Sequence, residues 1–289
     1  MPINKTGMRA AWIIILCAAI SVIAGSVLGR YAVIYGADTY AARIMCQMLM
    51  LIPALAGNAL IYAARRKGHC AVDMGYRRFH PGSVFFLLIL PSCSRYFGIY
   101  IQSFGGAFTE QSFAVDRSFI PENIYEMLML FLSNCLIAPI FEEMLFRGAV
   151  YKCAEPYGSV RAVVVAALGF ALVHFNSSAF VYLFFWGLVL GAVRVWSGSV
   201  VACMLFHSIL NFETFLHSVY VNELYYVTDF LQCYATVMTY LFPVALIGMY
   251  LCFGRGKGRK KVQCSGVAGI IPMLCVLVLY FGVAYTKGF

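Results

Sequence analysis

Four stretches of this chain, residues 10–29, 44–64, 230–254 and 262–286, contain no Asp, Glu, Lys or Arg. Each reaches the roughly 20 residues that a helix needs to cross about 30 Å of hydrocarbon. With 62% of the 289 residues apolar and 11% charged, against roughly half and a quarter in soluble domains, a soluble fold is excluded.

Between Ala162 and Val193 the only ionisable residue is His174. One helix over that stretch would be about 48 Å long, more than one bilayer holds, so the chain must turn back. The polar cluster Asn176, Ser177, Ser178 is the natural turn, giving spans 161–176 and 179–195. Three further spans are expected: 197–215, 83–104 with Arg95 inside it, and 124–150 with Glu142, Glu143 and Arg147 inside it. The expected fold is all-α, a polytopic transmembrane helix bundle of about eight to nine spans. The first span follows Lys5 and Arg9 but exceeds the apolar length of a signal peptide, and reads as a retained anchor.

Lys and Arg are retained on the cytoplasmic side. The loops holding Arg65, Arg66, Lys67, Arg77 and Arg78, then Lys152 and Arg161, then Arg255, Lys257, Arg259, Lys260 and Lys261 are therefore cytoplasmic, while Glu110, Asp116, Glu122, Glu223 and Asp229 mark external loops. Nine spans with a cytoplasmic N-terminus satisfy all of these assignments. The expected division is 1–123 for the first three spans, 124–216 for a core of four, and 217–289 for the last two. The net charge of +9 follows from topology and attraction to anionic lipid. Basic residues split between loops, without interleaved aromatics, argue against nucleic acid as a partner. The eleven cysteines contain no C-x-x-C pair and read as small apolar fillers.

An ionisable side chain deep in a span costs a few kcal/mol, so each calls for a partner or a function. Glu142, Glu143, Arg147, His174 and His207 qualify, with Asn211 a polar companion and Arg95 either snorkelling to the interface or joining the same cavity. Residues four apart share a helical face, so Glu143 pairs with Arg147 while Glu142 points about 100° away as a free carboxylate; His207 and Asn211 share a face likewise. Pro139 withdraws a hydrogen bond from the Cys135 carbonyl and opens the helix nearby. If the chain turns near Tyr157 and Gly158, Glu142 lies 15 residues before Tyr157 and His174 lies 17 after it, both about 20 to 25 Å from the turn, with His207 and Asn211 about 14 to 20 Å deep. All can meet in a mid-membrane cavity. Apolar side chains would pack helices without the desolvation cost, so this concentration of polar groups points to function.

A carboxylate and an imidazole can hold and deprotonate water while a second His and an Asn amide donate to a tetrahedral oxyanion. No Ser or Cys stands beside a base, which favours water as nucleophile. The same residues admit a metal centre, with Glu142, His174 and His207 as ligands of a hydrolytic zinc, although H-E-x-x-H is absent. The residues leave both open.

Glu142-Glu143-Met-Leu-Phe-Arg147, Phe170-Ala-Leu-Val-His174 and His207-Ser-Ile-Leu-Asn211 read as E-E-x-x-x-R, F-x-x-x-H and H-x-x-x-N. Complete, in order and each on its own span, they resemble the CAAX protease and bacteriocin-processing (CPBP) family of intramembrane endopeptidases over residues 124–216. The resemblance implies that Glu142 activates water with His174, that His207 and Asn211 stabilise the oxyanion, and that Glu143 and Arg147 orient the helix. It implies a peptide or lipidated protein substrate within the bilayer, with zinc or a metal-free glutamate mechanism equally compatible. A bacterial plasma membrane suits the absence of organelle-targeting signals. Two other readings use the same residues. A proton- or cation-coupled transporter would normally show repeated halves, and none is found. A non-catalytic peptide-binding immunity protein would not need every motif position filled.

Overall fold

The computed structural model describes residues 74–106, 123–174, 179–220 and 228–254, with single positions 23, 27, 56, 72 and 121. The expected spans 10–29, 44–64 and 262–286 and the turn at 176–178 lie outside the described residues. Within them every regular element is helical. After a short 3-10 turn at Pro81–Ser83 come α1 (Val84–Gly106), α2 (Ile124–Tyr157), α3 (Ser159–Leu172), α4 (Phe180–Ser197), α5 (Val200–Tyr220) and α6 (Thr228–Met249), which a π turn extends to Gly254. Three stretches, Ile124–Tyr157, Phe180–Ser197 and Cys233–Phe253, are long and apolar enough to cross a membrane, and the chain is a membrane protein.

α2 and α3 reverse direction at Gly158, whose φ of +110° lies where a side chain is strained. Helix α3 then lies along α4. Their approach is close because small residues face each other: a Cβ on Gly187 would stand 2.7 Å from the Ala167 Cα, and one on Gly191 would stand 2.5 Å from a Val163 methyl. On the other side α1 packs along α6, and Leu87 and Leu90 of α1 join Leu190 of α4, Phe206 and Leu210 of α5 and Phe242 of α6 in the largest buried apolar cluster. Helix α5 therefore has α1 on one flank and α2 on another.

Helix α2 is not wound uniformly. Phe131–Ile137 and Met144–Val150 are π-helical and bracket a short α-helical stretch, Ala138–Glu143. The Ala138 N–H bonds to the Ser133 carbonyl, five residues back rather than four. Carried on by one residue, that register sets Pro139, which has no N–H, opposite the Asn134 carbonyl. The expectation that Pro139 deprives the Cys135 carbonyl rests on an α register, which the π winding breaks just before it.

Candidate active site

The α-helical stretch between the two π segments ends on Glu142 and Glu143. Glu143 and Arg147 are both fully buried, and Arg147 Nη1 donates to Glu143 Oε1 at 3.0 Å, the pair that their four-residue spacing favours. The second Arg147 terminal nitrogen donates to the Gly187 carbonyl at 3.1 Å, across the gap that the small α3 and α4 residues leave narrow. From α5, His207 Nδ1 meets the same Glu143 oxygen at 2.9 Å. A carboxylate paired with a guanidinium can only accept, so this nitrogen is the protonated one and, in the neutral ring, Nε2 carries the lone pair. That Nε2 stands 4.0 Å from Glu142 Oε2. Glu142 keeps 16% of its side-chain surface exposed where Glu143 keeps none.

His174 closes α3. Its Nδ1 lies 2.7 Å from the Phe170 carbonyl, which fixes the same tautomer, and the ring is exposed. The link between the two histidines is Phe170 itself. Its ring centroid lies 4.8 Å from the His174 ring centroid and 5.6 Å from that of His207, while the Arg147 guanidinium carbon sits 4.7 Å above it. The apolar first position of F-x-x-x-H is thus the surface on which both imidazoles and the cation rest.

Asn211 faces α2, but its Nδ2 donates at 2.8 Å to the Asn134 carbonyl, five residues before Pro139. One amide hydrogen remains for other use. Zinc would require Glu142, His174 and His207 to converge. Among the described residues no three His, Cys, Asp or Glu side chains form a group that could hold a metal ion.

Two charged residues, Arg194, which is buried, and Glu213, which is partly buried, were not singled out by the sequence reading. Arg194, near the end of α4, donates to the Arg147 and Met74 carbonyls. Glu213, on α5, accepts from the Ser92 hydroxyl of α1. Both are ionisable residues inside apolar helices, the criterion that found the motif residues, so the signal was present. Arg95 belongs near Glu213: only 6% exposed, it stacks over Tyr96 with its guanidinium carbon 5.1 Å from the ring centroid, and does not snorkel outward.

A helical membrane protein holding a buried carboxylate, guanidinium and imidazole beside a second, partly exposed carboxylate has the parts of a hydrolytic site. Residues 124–212, from the start of α2 into α5, match the family model described as type II CAAX prenyl endopeptidase Rce1-like. The match contains all three motifs, agrees with the CPBP resemblance, and implies a peptidase. No curated protein and no solved structure matches the chain.

Proposed function

We propose that this chain is an intramembrane endopeptidase that cleaves a membrane-associated or lipidated peptide with water activated by Glu142. The observation that carries the reading is the 4.0 Å separation of Glu142 Oε2 and His207 Nε2. It is too long for a direct hydrogen bond, and a water about 2.8 Å from each would bridge the two acceptors with its own two hydrogens.

Held so, the water presents a lone pair to the scissile carbonyl. Its oxygen bonds to the carbonyl carbon as one proton passes to Glu142, and the carbonyl π pair moves onto oxygen. Collapse of the tetrahedral intermediate breaks the C–N bond, and Glu142 returns the proton to the departing amine. The oxyanion takes the remaining amide hydrogen of Asn211. His207, with Nδ1–H spent on Glu143, donates there only as the imidazolium, so as a neutral ring it assists the water instead. His174, in contact with Phe170, is the second base of this reading. Glu143 and Arg147 hold His207 in its tautomer and orientation, as an outer carboxylate does for a catalytic imidazole.

The basic ends of the helices support a cytoplasmic face for the turn at Gly158. The Arg77 side chain donates to the Gly198 carbonyl and Arg194 to the Met74 carbonyl, so the segment before α1 and the α4–α5 turn lie at one end of the bundle. Cleavage of a fluorogenic peptide panel, including lipidated peptides, by detergent-purified protein tests the proposal, with and without a strong chelator followed by zinc. Cleavage that resists chelation is expected. Loss on chelation with zinc rescue would replace the metal-free mechanism by a metallopeptidase one, and no cleavage of any peptide would count against the endopeptidase reading.

A further inference from the structure

Arg194 is buried and lies outside all three motifs. Its Nε donates to the Arg147 carbonyl at 3.2 Å, its Nη2 donates to the Met74 carbonyl at 3.0 Å, and its guanidinium carbon lies 5.0 Å from the centroid of the Tyr151 ring. Among the described residues no carboxylate pairs with it. A buried cation satisfied by carbonyls and a ring carries a desolvation cost that an apolar side chain would avoid, so packing alone does not account for it.

The Arg147 carbonyl lies where the α register of α2 is broken. In an α register the Tyr151 N–H would bond to it, but in the π segment that N–H goes to the Phe146 and Gly148 carbonyls instead. Arg194 supplies a donor in its place. The first π segment shows the same arrangement, with Asn211 on the Asn134 carbonyl. In each π segment beside the carboxylate pair, one carbonyl accepts from a side chain of another helix.

The other end of the Arg194 fork reaches the segment before α1. Gly75 has a φ of +95°, and a Cβ there would lie 2.4 Å from Arg194 Nη2, so conformation and space both require glycine. The same segment is tied to the α4–α5 turn by the Val200 N–H on the Gly75 carbonyl at 2.8 Å and by the Ser199 hydroxyl on the Arg77 carbonyl.

We propose that Arg194 is a positioning residue: it locks the second π segment of α2 to the segment Met74–His80 and so sets the direction in which Arg147 and Glu143 present His207 to the substrate. The lock stands on the geometry; its effect on turnover rests on the peptidase reading. The test uses Arg194→Met, Arg194→Lys and Gly75→Ala, the last striking the same lock without altering α2 or α4. Amide hydrogen exchange of the full chain in detergent is expected to rise about tenfold over 144–151 and 74–80 while α3 and α6 stay within about twofold, as for a local opening. On the peptides cleaved by wild type, kcat is expected to fall about 10- to 100-fold with KM within about twofold. Lys, with one of the two donors recoverable, is expected to restore part of the loss. Exchange that rises evenly over the described helices, or a kcat per folded molecule at the wild-type level, would overturn the proposal. If wild type cleaves no peptide, the proposed function falls while the exchange pattern still decides the lock.

Discussion

Helix α5 has a buried ionic cluster on each of two flanks, and they are built differently. Toward α2, Glu143 binds both Arg147 and His207 through one oxygen, and beyond them a second carboxylate, Glu142, is partly exposed, with His207 Nε2 at 4.0 Å and no hydrogen bond among the described residues. Toward α1, Glu213 accepts from Ser92 and Arg95 stacks on Tyr96, with no ion-pair contact between the two charges and no imidazole in the described contacts. Both sets of charges lie in apolar helices, so burial of charge does not by itself mark a catalytic centre. What separates them is an uncommitted carboxylate facing a ring nitrogen whose tautomer is already fixed. Under the proposed function the first cluster holds a base ready, while the second ties two helices together.

Arg147→Met should have the largest effect on stability, because it leaves Glu143 buried without its cation, a change that typically costs about 3–5 kcal/mol; a thermal melt in detergent measures it, and a small loss would mean the pair is better hydrated than its burial indicates. Asn211→Ala strands the Asn134 carbonyl, at about 1–3 kcal/mol for an unsatisfied buried group, and should lower kcat as well by removing the remaining oxyanion donor. If activity falls with no change in melting, Asn211 serves chemistry more than the backbone. Phe170→Leu removes the ring beneath Arg147, worth about 1 kcal/mol, and should loosen both imidazoles enough to register in kcat before it registers in stability. The sharpest contrast comes from Arg95→Met with Glu213→Leu. Arg95 and Glu213 are not in ion-pair contact, and replacing charges inside the bundle by apolar groups of similar volume is often neutral or stabilising, so cleavage should stay within about twofold. The corresponding double change at Arg147 and Glu143 should abolish it, and equal losses at both sites would erase the distinction.

Local spacing made much of the first cluster legible in the sequence. Glu143 and Arg147 are one helical turn apart, the apolar stretches mark α2, α4 and α6, and Tyr157 and Gly158 mark the hairpin. The π segments were not legible, because winding is settled by partners far along the chain: Asn211 meets the Asn134 carbonyl across 77 positions and Arg194 meets the Arg147 carbonyl across 47. Asn211 was read only as a donor to substrate, since nothing local reveals a carbonyl in need on another helix. Depth brought Glu142, His174, His207 and Asn211 to one level, and the pairing of His174 with Glu142 came from the family resemblance. Depth places groups at one level but not around the helix axis, and it is His207 that stands 4.0 Å from Glu142.

The central claim is that Glu142 is the base that activates water. Its most direct test is single-turnover cleavage by Glu142→Gln, an isosteric change at a partly exposed position whose melting temperature can be matched to wild type. The account predicts a fall of about 10²- to 10⁴-fold in the chemical step, the usual contribution of a positioned general base, with peptide affinity retained. Cleavage near the wild-type rate by well-folded Glu142→Gln would contradict it.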